Sequence, residues 1–133
     1  TMLRVKDVPN NPAVELIYKL CLYGNRLNKI VILEGILRCD VYGNKLAELM
    51  VNFNGVVHVY YFDIPFDETL RRHATKPNAH EFGEAEMRQW WRSSDVLGVK
   101  EEQIFNEKMS ADAMLRKILN DCVTGSNNTM KGS

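Results

Sequence analysis

An excess of charge of either sign is missing from this sequence. Lysine and arginine together number 17, and so do aspartate and glutamate. A balanced chain has no global basic field of the kind that attracts DNA or RNA, so no nucleic-acid partner is expected. Cysteine is scarce: Cys21, Cys39 and Cys122 are odd in number and contain no CxxC pair. That argues against a disulfide framework and for a reducing, cytoplasmic setting. It also weakens any case for zinc, since only His73 and His80 resemble a ligand pair and no second pair stands at ligand spacing. Long apolar runs are absent as well. None approaches the ~18 residues that a membrane-crossing helix needs, and no stretch reads as a signal peptide, so no membrane partner is expected. There is no internal repeat.

What is present fits one α/β domain of 133 residues. Asn11-Pro12 is a helix start, with Asn as N-cap and Pro at the first helical position. Val14, Leu16, Ile17, Leu20 and Cys21 give that helix an apolar face, and Gly24 is expected to stop it. Ile30 to Leu33 are continuously apolar, as in a strand covered on both faces of a parallel sheet, and Glu34-Gly35 ends the run. Tyr42 to Phe53 reads as a second helix. Val56 to Phe62 reads as a second strand. A third helix is expected over Asp67 to about Ala74, with Asp67 and Glu68 in its first turn, where the helix dipole favours anions. Polar residues from Thr75 to Gly83 interrupt the pattern. A helix is then expected over Glu84 to Arg92, a short edge strand near Gln103 to Phe105, and a last helix from Ser110 through Asp121. Met114, Leu115, Ile118 and Leu119 are expected inward on that helix, and residues 123–133 as a disordered tail.

Strands alternating with helices imply a mostly parallel sheet with helices on both faces, and ligands then bind beyond the carboxyl ends of the strands. Two such ends stand out, Glu34-Gly35 and Asp63-Ile64-Pro65. A carboxylate there can orient a nucleophile or a metal-bound water. Equally, Glu34 can cap a loop or pair with Arg38. Cations form the second signal. Arg72 and Lys76 are spaced to share a helix face, and Arg88 and Arg92 repeat the spacing. Such groups neutralise charge in phosphoryl transfer. On the residues alone, a solvated face balanced by Asp67, Glu68, Glu84 and Glu86 is the commoner outcome. Trp90-Trp91 presents one indole inward if helical, more often as packing than as a stacking platform.

The order VILEGIL, HVYYFDIPFDET-x-x-RH-x-x-K, EMRQWWRSSD and EEQIF, spread over Met2 to Asp121, resembles the small P-loop kinases. Within them it is most similar to the zeta-toxin-like or AAA-type ATP-binding bacterial kinases. The resemblance implies a three-layer fold and an ATP- and Mg²⁺-dependent transfer of the γ-phosphoryl group to a hydroxyl on a small molecule, such as a nucleoside, a sugar nucleotide or an antibiotic. It implies a lid over residues 75–95. It places Arg72, Lys76, Arg88 and Arg92 on the phosphates, Arg72 foremost and catalytic. Glu34 would be the acid ending a Walker-B-like strand, and Arg4, Lys6, Asp7 and Arg38 would lie on the acceptor side.

One departure is large: none of the eight glycines opens a GxxxxGK[ST] phosphate loop. Residues 1–122 are therefore expected to be the C-terminal portion of such a domain, with the phosphate loop upstream and the chain inactive alone. The alternative is a non-catalytic nucleotide-binding fragment or interaction module. The phosphate-loop strand would lie between Ile30–Leu33 and Val56–Phe62. Another polypeptide segment, from upstream or from a second chain, is accordingly expected to complete the sheet.

Overall fold

The computed structural model describes Val8 and residues 10–131, with side chains as far as residue 124. Helix α1 (Pro12–Arg26) begins as its sequence dictates: Asn11 Oδ1 accepts from the Ala13 amide at 2.9 Å, and Pro12 occupies a position whose N–H would be orphaned anyway. Gly24 does not stop α1. It lies within the helix because residues 29–33 fold back across it, and a Cβ at Gly24 would sit 2.9 Å from Cγ2 of Val31. Helix α2 (Cys39–Asn52) starts three residues ahead of the expected Tyr42 and packs against α1. The two helix ends are tied reciprocally. Asn25 Nδ2 donates to the Asn54 carbonyl at 2.8 Å, and the Asn54 amide donates to Asn25 Oδ1 at 2.9 Å.

Strand β1 (Val59–Asp63), helix α3 (Phe66–Ala74), helix α4 (Glu84–Trp90), strand β2 (Glu102–Asn106) and helix α5 (Ala111–Lys131) follow in order. Strands β1 and β2 pair in parallel, with Tyr60 opposite Gln103 and Phe62 opposite Phe105. Alternation sends Tyr60, Phe62, Gln103 and Phe105 to one face and Tyr61 and Ile104 to the other. Phe105 is the best-buried large side chain, stacked on Tyr60 at 5.0 Å between centroids and edge-on to Phe62 at 5.5 Å. From α5, Met114 is buried, but Leu115 and Leu119 are exposed, against the expectation that all its apolar residues face inward. The face toward the sheet is a narrower stripe through Met114, Ile118 and Asp121, at helical spacing. The helical backbone also continues past Cys122 to Lys131, where a disordered tail was expected. An established helix adds one hydrogen bond per further residue and no proline interrupts it.

The described residues thus form a mixed α/β arrangement of five helices and one two-stranded parallel sheet. Ile30–Leu33 is not a strand. These residues have no regular secondary structure and no ladder partner, and Ile30 and Ile32 are 91% and 83% exposed. A strand exists only with a partner ladder, and no other described segment supplies one. In particular, Ile30–Leu33 does not pair with β1, whose partner is β2.

Candidate functional site

Glu68, one turn into α3, lies within reach of two arginines on the next turn. Its carboxylate accepts from Arg71 Nε and Nη2, both at 2.7 Å, and from Arg72 Nε at 2.7 Å. These two guanidiniums, Arg71 first, draw the Glu68 carboxyl down to about 2. Arg72 Nη2 reaches further and donates to the carbonyl of Glu107 at 3.1 Å, one residue beyond the end of β2. Arg72 is therefore fixed at the carboxyl edge of the parallel pair. Its side chain is 36% exposed, and its Nη1 has no partner among the described residues. Such a group can take up an oxyanion without further ordering.

A second cluster gathers beside Tyr61. Its hydroxyl accepts from the Asp95 amide at 2.9 Å and donates to the Arg92 carbonyl at 3.5 Å. Asp95 Oδ2 in turn accepts from the Cys39 amide at 3.0 Å, so the loop after α4 is joined to the start of α2. Arg38 forks onto Asp40, with Nε on Oδ1 at 3.0 Å and Nη2 on Oδ2 at 2.5 Å. The bonds from Arg38 hold the Asp40 carboxyl below its usual range, and the charge of Arg92 adds to the effect. Burial and the carboxylates of Asp95, Glu102 and Asp40 push the Cys39 thiol up.

The expected cation pairs do not survive the helix ends. Helix α3 stops at Ala74, so Lys76 falls beyond it. Lys76 is exposed and has no side-chain partner among the described residues. Helix α4 stops at Trp90 and not at Arg92, because Trp91 is extended (ψ 134°). Arg88 pairs with Glu84 at 2.6 Å and lies 4.4 Å over the Phe66 ring, while the charge of Arg92 acts on Asp40. The same early stop lets both indoles pack. Trp90 meets Phe82 edge-on at 5.1 Å, and Trp91 Nε1 donates to the Ile64 carbonyl at 3.0 Å. Glu34 is exposed, with no side-chain partner among the described residues, so it neither pairs with Arg38 nor joins either cluster. Arg4, Lys6 and Asp7 lie outside the described residues.

The polar segment expected to be a lid is anchored. His73 is buried, stacks on Phe82 at 4.3 Å, and its Nε2 lies 3.2 Å from the Ala79 carbonyl and 2.9 Å from that of Phe82. Two carbonyls can only be served by a protonated Nε2, so His73 donates there. No sequence signal marked this role, because a histidine near a helix end reads as surface.

No group of three His, Cys, Asp or Glu among the described residues stands close enough to hold a metal. Among the described residues, no helix is long and apolar enough to cross a membrane. Comparison with protein families, with curated proteins and with solved structures gives no match.

Proposed function

We propose that this chain belongs to an ATP-dependent small-molecule kinase, with Arg72 as its phosphate-neutralising cation. The observation that supports this reading is the position of Arg72. It is held by Glu68 and the Glu107 carbonyl at the carboxyl edge of parallel strands, with donors to spare. That edge is where α/β sheets bind their ligands. A guanidinium so oriented stabilises charge on a transferring phosphoryl group more than charge on the resting substrate. The three-layer kinase fold and the acceptor hydroxyl belong to the same proposal. Neither a phosphate loop nor a carboxylate cluster for Mg²⁺ occurs among the described residues, so no catalytic step is assigned to the metal and the chain alone is expected to bind polyphosphate without turning it over.

Calorimetric titration of the purified chain with ATP and with tripolyphosphate tests the proposal. Arg72→Ala is expected to weaken binding by about tenfold or more, and Arg72→Lys by less. Absence of binding, or equal binding by wild type and Arg72→Ala, refutes it. A second reading, a non-catalytic interaction module, is favoured by one specific observation, the apolar surface at Ile30 and Ile32.

A further inference from the structure

The link between α2 and β1 carries the one glycine of the chain that follows an asparagine, in Asn54-Gly55. Helix α2 ends at Asn52 and β1 begins at Val59, so both residues lie outside helix and strand, and both are exposed. Gly55 stands at φ 138°, a conformation that a residue with a Cβ rarely adopts. Asn25 clamps Asn54 by its backbone alone, through the Asn54 N–H and carbonyl. The Asn54 side chain bonds to no other described residue, and neither does the Gly55 N–H.

A free side-chain amide beside a free backbone N–H is a reactive pair. The Gly55 nitrogen, once water has taken its proton, can attack Cγ of Asn54, and glycine puts no side chain in the path. The N–Cγ bond forms, the Cγ–Nδ2 bond breaks, and Nδ2 leaves as ammonia with a proton returned by water. Water then opens the cyclic imide. Opening at Cγ gives aspartate. Opening at the main-chain carbonyl gives isoaspartate, in which the chain runs through Cβ and Cγ and the former carbonyl becomes a carboxylate. The sum is amide plus water to carboxylate plus ammonium, so water is the only co-reactant.

Other asparagines are closed to this chemistry by the bonds around them. Lys29, Phe53 and Ala79, which follow Asn28, Asn52 and Asn78, donate their amides to the carbonyls of Gly24, Leu49 and Lys76 at 3.0, 2.8 and 3.1 Å. Within α1, α2 and α5, the residues after Asn25, Asn44 and Asn120 belong to the helix ladder. Asn106 keeps its Oδ1 on the Lys108 amide at 3.0 Å.

We infer that Asn54 is a site of spontaneous deamidation in the folded chain. The isoaspartyl product puts a carboxylate where Asn25 Nδ2 now meets a peptide carbonyl, and adds one backbone carbon between α2 and β1. This goes beyond the kinase reading and does not depend on it.

The folded chain is incubated at pH 7 and pH 9, digested with trypsin and read by mass spectrometry. The peptide Leu46–Arg71 is expected to gain the mass of an amide-to-acid exchange, placed by fragmentation at Asn54 and not at Asn52, and to split into aspartyl and isoaspartyl forms. The rate is expected to rise severalfold from pH 7 to pH 9, because the attacking nitrogen must lose its proton. Gly55→Ala, with folding confirmed by circular dichroism, is expected to react severalfold more slowly. Asn54→Gln, which leaves Gly55 in place, should abolish the mass gain over the same period. A site already open in the native state needs no unfolding, so guanidinium should change the rate at Asn54 by less than about threefold. The inference is overturned by a Leu46–Arg71 peptide that keeps its mass, or by reaction no faster at Asn54 than at Asn52 or Asn78. It is equally overturned by a Gly55→Ala protein that reacts as fast as wild type, or by a folded chain far slower than the unfolded one.

Discussion

Asp121 on α5 is the point where both strands and the last helix are fastened together. Its Oδ2 accepts from the Tyr60 hydroxyl at 2.6 Å and from Gln103 Nε2 at 3.0 Å, and its Oδ1 pairs with Lys117 at 2.5 Å. The side chain is 13% exposed. Asp121→Ala leaves two part-buried polar groups without their acceptor. A hydrogen bond to a charged group contributes ~1.5–3 kcal/mol, and the helix-surface pair with Lys117 only ~0.3–0.5 kcal/mol. Because the site borders solvent, the lower end of that range applies to each of the two bonds, giving with the Lys117 pair an expected loss of about 3–3.5 kcal/mol. At about 4 °C per kcal/mol, the melting temperature should fall by about 12–14 °C.

The pH dependence separates this network from simple packing. Lys117, Tyr60 and Gln103 draw the Asp121 carboxyl down to about 2, from an unfolded value of 3.8. A depressed folded pKa means that the unfolded chain binds the proton more readily. The contribution is therefore complete above pH 4 and is lost as pH falls toward 2. Burial first, and then the Asp121 bond, raises the Tyr60 phenol above its ordinary 10. That contribution has the opposite sign: it is present below pH 10 and is lost as pH rises past it. Thermal melts of wild type, Asp121→Ala, Asp121→Asn and Tyr60→Phe between pH 2 and pH 11 test both limbs. Asp121→Asn keeps an acceptor for Tyr60 and Gln103, so it should lose less at pH 7 and show no acid limb of its own. A gap between wild type and Asp121→Ala that is below 1 °C, or that stays constant down to pH 2, refutes the network as a source of stability.

Three further outcomes are expected. His73→Leu removes the donor that holds Ala79 and Phe82, so limited proteolysis within residues 75–83 should accelerate severalfold while the melting temperature changes less. Trp91→Phe keeps an aromatic ring against Phe66 but loses the bond to Ile64, costing about 1 kcal/mol by denaturant titration. The isolated chain should release no phosphate from ATP above background, since it has no phosphate loop, and turnover abolished by Arg72→Ala would show that another cradle exists.

Local signals in the sequence were legible where the chemistry that makes them is local. Asn11-Pro12 caps a helix through its own side chain and ring, and the structure repeats that bond for bond. The short strand near Gln103–Phe105 and the helix from Phe66 to Ala74 also lie within a residue or so of their expected places. Gly24 misled because a glycine at a helix end and a glycine under a crossing chain look alike in sequence. Only the fold shows Val31 lying on it. Ile30–Leu33 misled for a related reason. β-branched residues favour extended backbone, but a ladder requires a second chain segment that their own composition cannot specify. The network around Asp121 was hidden because Tyr60 and Tyr61 are adjacent in sequence and on opposite faces in space. One serves α5, and the other serves the loop at Asp95.

The cations show why spacing alone does not make a site. Residues four apart share a helix face only while the helix continues, and both inferred pairs straddle a terminus. Helix α3 ends at Ala74, between Arg72 and Lys76, and α4 ends at Trp90, between Arg88 and Arg92. What distinguishes Arg72 is not its spacing to another cation but its two anchors. Glu68 on its own helix orients the guanidinium, and the Glu107 carbonyl draws it across to the end of β2. Arg88 is anchored too, but by Glu84 on its own helix and by the Phe66 ring, with no bond to the backbone of a strand end among the described residues. Arg92 stands near Asp40, whose carboxylate Arg38 already engages. Of the four cations first singled out, Arg72 alone donates to backbone just beyond a strand end among the described residues, and it keeps a donor to spare. The phosphate-binding proposal therefore stands or falls on Arg72.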